Sequence, residues 1–592
     1  MPATQAGKAK QPSNTSETIL LGVALAVVVF VSVLVWAAMR LAGTTDTTNP
    51  LTASLGVVVG REAWSSAATM WLVLLVIAVA PAAGAGLWWR RRRGGQDDTE
   101  RVDSAQKHLG SGKAIKSLTE KATIAKATSL GVDKSDLLAP FTRWNGVGFG
   151  TTLDRKPLYG SWEDMFLIIM GPRQGKSTSM IIPQICEAPG AVLATENKRG
   201  NLDHTRLVRE FRDNDGRPTR QVWVFDPQDV ANEPAWWYWD PLSYVVDETT
   251  AEELAQLFAA GGVSESDKKD PYFDPEGENL LATLILASAL NGEPITAVYE
   301  RLTNRRSCHE SVRVLIEHDY PLIAAGLESV LGYADKQQDG IFGTAIKMAR
   351  CLRIRQIRQW VSCAGPGDDR PTLDIAQYIR NKETLYCLSK EGVGSAGPLV
   401  AALTMAVTKT AEKIATASPG GRLPVPMLCA LDEAANVVRW PDLPKLYSHF
   451  GSRGIIIMTI LQSWSQGIGV WGERNMKLLE SSSNVYVCGG NVREAEYLRN
   501  LVELAGEWEH TQVNVSRGSG QGGGNSSVSR SRGKESIFHA SQLAAWPLGR
   551  ALVFSAGNPP VIVRTVPWFT KPYSDLIDQS FAEYSPGQLK VG

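Results

Sequence analysis

Hydrophobic positions along this chain fall into three kinds of pattern. Near the N-terminus they form long unbroken runs: 22 residues from Thr18 to Met39 carry no charge, and a second uncharged run extends from Ala63 to Trp89. At 1.5 Å rise per residue the first run covers a hydrocarbon core of about 30 Å. Its apolar stretch is longer than the roughly 7–15 residues of a cleaved signal. The pattern therefore predicts two transmembrane helices, over about 18–39 and 66–89. Trp64, Trp71, Trp88 and Trp89 lie near the ends of the second run, where indole rings favour the membrane interface. Lys8 and Lys10 precede the first span and Arg90, Arg91, Arg92 and Arg93 follow the second. The positive-inside rule then predicts a multi-pass protein of the inner (plasma) membrane with both termini and the main body in the cytoplasm.

From about Phe141 the pattern changes to brief apolar runs separated by amphipathic stretches: FLIIM (166–170), AVLAT (191–195), VWVF (222–225), MLCAL (427–431), IIIMTIL (455–461), NVYVCG (484–489) and ALVFSA (551–556). Short continuous apolar runs predict a parallel sheet buried on both faces, hence an α/β domain. Between Pro241 and about Pro371 apolar residues recur at helical spacing instead, as in AEELAQLFAA and ENLLATLILASAL. The organisation expected is a membrane anchor over 1–93, a juxtamembrane linker over 94–140, a nucleotide-binding domain over 141–240 and 371–592, and an all-helical insertion over 241–370. The linker lysines Lys113, Lys116, Lys121 and Lys126 read as a solvated face. The Gly/Ser-rich segment 517–535 reads as a flexible loop.

Composition changes this picture only by exclusion. The 592 residues are 44% hydrophobic and 21% charged, which rules out collagen-like and wholly disordered classes. With 61 Lys+Arg against 61 Asp+Glu, bulk charge does not hold nucleic acid, so any such contact is a local patch. Seven scattered cysteines with no C-x-x-C pair suit reduced thiols rather than a disulfide framework or a zinc site. The seven histidines show no H-x-x-x-H or H-E-x-x-H spacing, which speaks against a histidine metal site.

The most informative segment is DMFLIIMGPRQGKSTSMIIPQI (164–185), an apolar strand running into a Gly-rich turn from which Lys176, Ser177 and Thr178 open a helix. Glycines let backbone N–H groups turn inward on an anion, the helix N-terminus adds positive potential, lysine reaches the terminal phosphates and serine serves Mg²⁺. Candidate phosphate-binding residues are Gly171, Pro172, Arg173, Gln174, Gly175, Lys176, Ser177 and Thr178. The spacing departs from the usual pattern: Gly171 stands four residues before Gly175, and Met170 occupies the position of the usual first glycine.

Turnover also needs an acid near the metal and a group to polarise water. MLCALDE (427–433) is an apolar strand ending in Asp432 and Glu433, which read as the magnesium-shell aspartate and the water-polarising glutamate. Gln462, after the run 455–461, either senses the γ-phosphate or is a solvated strand-end amide. Arg453, before that run, is either a surface arginine or an arginine finger reaching a neighbouring subunit's nucleotide. Asp226, ending VWVF, lines the site or caps the next turn. AWWYWDPL (235–242) reads as packing at a domain junction more readily than as base stacking, and the arginines of 517–535 read as solvated more readily than as tracking a phosphate backbone.

Taken in order, IIMGPRQGKST, ATENKRGNLDHTR, VWVFDPQ, LDEAANV, SRGIIIMTILQSWSQG, LLESSSNVYVCGG and SQLAAWPLGRALVFSAGNPPVIVR resemble blocks of the type IV secretion coupling proteins, the TraG/TraD-like conjugation ATPases, in their actinobacterial form. ATENKRG stands where many members read D-P-K-G-E. The resemblance implies a RecA-like P-loop NTPase domain of α/β class with an inserted all-α domain, preceded by two transmembrane helices and commonly assembled as a homo-hexamer around a channel. It implies ATP and Mg²⁺ as cofactors, with DNA or a relaxase–DNA complex, the secretion channel and the membrane as partners. Lys176 and Ser177 then match the family's phosphate-loop lysine and magnesium hydroxyl, Asp432 and Glu433 its second acidic motif, and Gln462 its glutamine after the following strand. Rival readings are a motor for protein export or duplex DNA movement, and a membrane receptor that binds nucleotide without turning it over.

Overall fold

The computed structural model describes residues 31–75, 101–135, 139–262, 270–392, 395–518 and 525–586 together with positions 29, 77, 99 and 137, and it divides into two compact units, 1–98 and 99–592. In the first unit, the expected spans 18–39 and 66–89 lie largely outside the described residues. Where they overlap them, at 31–39 and 66–75, the chain is helical. Among the described residues no helix is long and apolar enough to cross a membrane. Between these segments a short helix, Pro50–Val58, starts with proline at its first position and is capped by Asn49, whose side chain accepts from the N–H of Leu51.

The second unit is built on one large sheet. Its strands are β1 (Val147–Thr151), β2 (Pro157–Gly160), β3 (Phe166–Ile169), β4 (Val192–Glu196), β5 (Val222–Phe225), β6 (Thr384–Leu388), β7 (Met427–Leu431), β8 (Ile455–Leu461), β9 (Val485–Cys488), β12 (Arg550–Ser555) and β13 (Asn558–Arg564). A separate two-stranded ribbon comprises β10 (Glu507–Gly518) and β11 (Asn525–Ser536). The order in the large sheet is β2-β1-β13-β12-β9-β3-β8-β7-β4-β6-β5. From β9 to β5 all neighbours are parallel, and β12, β13, β1 and β2 add an antiparallel flank.

Each of the seven apolar runs read from the sequence coincides with a strand of this sheet. β3, β4, β7 and β8 are buried along their whole length. That is why they read as continuous apolar runs rather than as an alternation. Between β5 and β6 the named elements among the described residues are helices, including Glu248–Gly262, Phe273–Leu290, Pro321–Leu331 and Asp335–Met348. They share a hydrophobic core with the helix Gly397–Ala417, through residues such as Phe258, Leu284 and Leu399, all fully buried. At the seam Trp237 packs edge-on against Trp360 with ring centroids 5.8 Å apart, and its indole N–H donates to the Val224 carbonyl at 3.2 Å. Trp237 and Trp239 are buried, so this part of the aromatic cluster is packing, not a stacking platform.

The segment 517–535 corrects the expectation of a flexible loop. Its residues 517–518 end β10 and its residues 525–535 make up nearly all of β11, in a ribbon paired in continuous antiparallel register from Glu507 with Ser536 to Gly518 with Asn525, while 519–524 lie outside the described residues. The Gly/Ser content masked a strand in which serines and a glycine alternate with Val528 and the basic residues Arg530, Arg532 and Lys534.

Candidate functional site

The parallel strands bring their C-terminal ends to one edge, the edge at which open α/β sheets bind ligands. β3 ends at Ile169 and runs into the Gly-rich turn; β7 is followed by Asp432 and Glu433, β8 by Gln462, and β4 ends in Glu196. Because β8 lies between β3 and β7, and β4 lies next to β7, these residues converge.

The turn explains its own unusual spacing. Met170 continues the strand: its N–H donates to the Leu461 carbonyl at 3.2 Å and its side chain is buried, so the position of the usual first glycine is part of the core here. Gly171 instead serves close approach. Its N–H donates to the Gly490 carbonyl at 3.0 Å, and a Cβ on it would stand 2.2 Å from the Asn491 carbonyl oxygen. Asn491 returns a bond from its side-chain amide to the Pro172 carbonyl at 3.1 Å. Arg173 and Gly175 both take left-handed backbone, φ 61° and 82°. Such alternation turns successive N–H groups to one side, as an anion nest requires. Gln174 lies between them, its side-chain oxygen 3.0 Å from where a Cβ on Gly490 would be. Beyond Lys176 the chain enters a π-turn, Ser177–Ile181, before the helix Ile182–Glu187. π-turns of this kind recur at functional sites. The Thr178 hydroxyl turns back onto the Gly175 carbonyl at 3.2 Å.

Lys176 Nζ stands 3.7 Å from Glu433 Oε1, with both side chains about nine-tenths buried. Burial pushes the Lys176 ammonium below its ordinary pKa, against the pull of Glu433 and Asp432. The Gln462 amide donates to the same Glu433 oxygen at 2.5 Å. Glu433 itself sits in left-handed backbone, φ 52°, a conformation that a non-glycine residue holds only where its surroundings enforce it. Asp432 is buried. Desolvation first, then the neighbouring Glu433 charge, push its carboxyl up to about 6. It accepts from the Glu433 N–H at 3.1 Å and from the Asn201 amide at 3.3 Å.

Sequence reading missed the second layer. Glu196 is buried and accepts twice from the Asn201 N–H, at 3.0 and 2.9 Å, which orients the side chain that reaches Asp432. Desolvation holds the Glu196 carboxyl well above the carboxylate range. Thr195 Oγ1 ties β4 to the Asp432 carbonyl at 3.1 Å. Glu391 gathers the amides of Asn197 and Asn436, at 3.2 and 2.6 Å. A signal for Glu196 was present in the sequence, since it is an acid at the end of an apolar strand just as Asp432 is.

Two candidates lie elsewhere. Arg453 stands before β8, at the opposite edge from Gln462, where its guanidinium donates to the Gly421 carbonyl at 2.8 Å. Asp226 ends β5, at the outer end of the parallel strand order, and caps the following turn by accepting from the N–H groups of Val230 and Ala231 at 2.6 and 2.8 Å. Capping is therefore its role.

The donor set fits a phosphate chain with a hard cation. A lysine and a nest face it, a serine opens the helix, and a buried aspartate stands one residue from a buried glutamate. Among the described residues no group of three or more His, Cys, Asp or Glu forms a metal site of its own.

Residues 426–547 match the family described as the TraM recognition site of TraD and TraG. Among solved structures, the bacterial conjugative coupling protein TrwBdeltaN70, in a trigonal form with sulphate, is similar at 15% identity and a TM-score of 0.50, over 78% of this chain and 97% of that one. TrwB in complex with a non-hydrolysable ATP analogue aligns at 16% identity and 0.47, over 75% and 92%, and VirB4 of Thermoanaerobacter pseudethanolicus at 12% and 0.39, over 75% and 99%. No curated protein matches the chain in sequence. The parallel sheet and the first of these likenesses give the chain the α/β fold of that coupling protein. The family match is confined to 426–547, about a fifth of the chain, and there the chain is similar to the TraM recognition site of TraD and TraG.

Proposed function

We propose that this chain is a membrane-anchored, Mg²⁺-dependent ATPase that recruits DNA or a relaxase–DNA complex to a type IV secretion channel and drives its transfer by ATP hydrolysis. The observation that carries the reading is the convergence of the Lys176 amine, the Glu433 carboxylate and the Gln462 amide on one sheet edge, beside Asp432. Mg²⁺ would neutralise charge on the phosphates, with Ser177 and Asp432 as its partners from this chain. Lys176 exchanges its Glu433 neighbour for phosphate oxygens when nucleotide enters. Glu433, released from that cation, is free to orient water and take its proton, and Gln462 reports whether the glutamate is engaged. The anchor comprises the runs 18–39 and 66–89, in the inner or plasma membrane with the body cytoplasmic. The assembly is a homo-hexamer, in which Arg453 acts on the nucleotide of a neighbouring copy.

The test is ATP hydrolysis by the full chain in lipid, without DNA and with single-stranded or duplex DNA, beside Lys176→Ala and Glu433→Gln. Turnover stimulated by DNA and lost in both variants is expected. Glu433→Gln turnover equal to wild type would favour a nucleotide-gated receptor over a motor. For Arg453, Arg453→Ala should cut turnover in the assembled protein with thermal stability kept. A parallel loss of both would assign it only to its bond with Gly421.

A further inference from the structure

The β10–β11 ribbon takes no part in the nucleotide site, yet its register sorts its residues by chemistry. Directly opposed residues of an antiparallel pair share a face, and successive residues alternate between faces. The pairs Arg517 with Ser526, Val513 with Arg530, Thr511 with Arg532 and Glu509 with Lys534 all belong to one face. The other face carries the pairs Gln512 with Ser531, Asn514 with Ser529 and Ser516 with Ser527. All four Lys and Arg residues of the ribbon strands therefore fall on a single face, interleaved with Val513, Val515 and Val528, while beyond the base the reverse face is amide and hydroxyl from Gln512 to Ser516 and from Ser527 to Ser531. Acids are confined to the base, at Glu507, Glu509 and Glu535, and from Thr511 to Gly533 the sequence has three arginines and no acid. Arg532 and Lys534 are exposed.

The ribbon is also held and placed. At its base the Trp508 ring stacks on His108 with centroids 4.2 Å apart, and the Ile537 N–H donates to the Gly506 carbonyl at 3.1 Å. Its exit leads back to the phosphate loop. Phe538 packs edge-on to Trp546 at 5.4 Å, and the Trp546 carbonyl lies 2.5 Å from where a Cβ on Gly490 would be. Gly490 is the residue whose carbonyl takes the Gly171 N–H. Twelve residue pairs at about 3.4 Å each give an arm roughly 40 Å long.

We propose that the β10–β11 ribbon is a nucleic-acid arm that grips the phosphate backbone through its basic face, with Arg517, Arg530 and Arg532 as the contacts. Charge complementarity commits it to a polyanion. Arg530 and Arg532 recur every second residue, about 7 Å apart, a linear array suited to a linear row of phosphates. A two-stranded ribbon also has the width that the major groove of a duplex admits. The inference rests on the proposed DNA-transfer function and names the part of the chain that would hold the substrate.

The experiment uses the full chain in lipid nanodiscs and measures binding of a labelled single strand and the matching duplex across a salt series. Arg517→Ser, Arg530→Ser and Arg532→Ser combined should weaken binding at least about tenfold. The triple change should also reduce the slope of log affinity against log salt by about two to three, one counterion-release increment per lost contact. The reverse-face control, Gln512→Ser with Asn514→Ser, should leave both values alone, and the melting temperature of each variant verifies folding. Lysine at all three arginine positions should retain the salt slope. Wild-type affinity and slope in the triple serine variant, while wild type binds DNA, would overturn the arm and leave the motor standing. Equal losses from the reverse-face control would overturn the face assignment. Wild type that hydrolyses ATP yet binds neither strand form would overturn the DNA-transfer reading along with the arm. A loss of binding to anionic vesicles in place of DNA would overturn the arm in favour of a membrane contact.

Discussion

The two edges of the parallel sheet bury charge in opposite ways. At the N-terminal edge Arg209 is wholly buried, yet its guanidinium donates to the carbonyls of Ala188 and Gly190 and to the Thr384 hydroxyl, each at 2.8 Å. Arg422 there reaches the Trp162 carbonyl at 2.8 Å and Glu163 at 3.1 Å. Those arginines close strand-end loops with neutral acceptors or a single acid. At the C-terminal edge Glu196, Asp432 and Glu433 crowd together, with Lys176 held 3.7 Å from Glu433 and no closer. The first edge uses burial to satisfy charge. The second crowds three carboxylates around one lysine, the poorly matched buried charge that clusters at functional sites.

The sharpest way to break this contrast is Glu433→Gln. The substitution keeps the volume and the bond to Gln462 but removes the proton acceptor, so turnover should fall about 10²–10⁴-fold while nucleotide still binds. Steady-state hydrolysis beside nucleotide titration checks it, and unchanged turnover would make the C-terminal edge a binding site only.

The N-terminal edge predicts a fold effect instead. Arg209→Met fits the volume but leaves two buried carbonyls and a hydroxyl without their donor, at about 1–3 kcal/mol for each unsatisfied group. A loss of about 3–4 kcal/mol in unfolding free energy is expected. An unperturbed melting curve would show that burial here is not compensated through these bonds.

How far the sequence went follows the same divide. β3, β4, β7 and β8 were legible because burial on both faces writes itself as an apolar run, and the acids after β7 were legible because the run stops at them. TLYCL of β6 escaped notice because nothing local says that a short strand after the helical insertion slots between β4 and β5. VGFGT, PLYG and NPPVIVR carry the Gly and Pro that flanking strands tolerate, so β1, β2 and β13 did not stand out as apolar runs. The segment 517–535 read as a flexible loop because its glycines and serines leave Val528 as its one apolar residue. Arg453 and Asp226 were ambiguous because strand order alone decides which residues meet, and strand order is set by tertiary packing.

Asp432→Asn tests the cost carried by the C-terminal edge. With its carboxyl pushed up to about 6, Asp432 binds a proton in the folded chain between its unfolded value near 4 and pH 6, where the unfolded chain has released it. Folding stability therefore falls as pH rises through this window, and the whole penalty, about 2–3 kcal/mol, is present above pH 6. The neutral amide removes it. Melting at pH 8 without nucleotide should improve in Asp432→Asn, the gain should vanish near pH 4, and Mg²⁺-dependent turnover should be lost. An equal gain at both pH values would show that the aspartate carries no such burden.

The smallest effect expected is at the join between the layers. Thr195→Val keeps the shape of a wholly buried side chain on β4 but removes its one hydroxyl bond, to the Asp432 carbonyl. One neutral hydrogen bond is worth about 1 kcal/mol, so a small drop in melting temperature is expected. The β4–β7 backbone pairing, with Thr195 opposite Leu431, persists without the hydroxyl. What the hydroxyl adds is a fixed position for the Asp432 peptide, and with it the left-handed turn at Glu433. If that turn is what aims the glutamate, turnover should fall several-fold more than the stability loss explains, at unchanged nucleotide affinity. If turnover follows stability alone, the aim of Glu433 comes from Gln462 and Lys176, and β4 merely supports the edge.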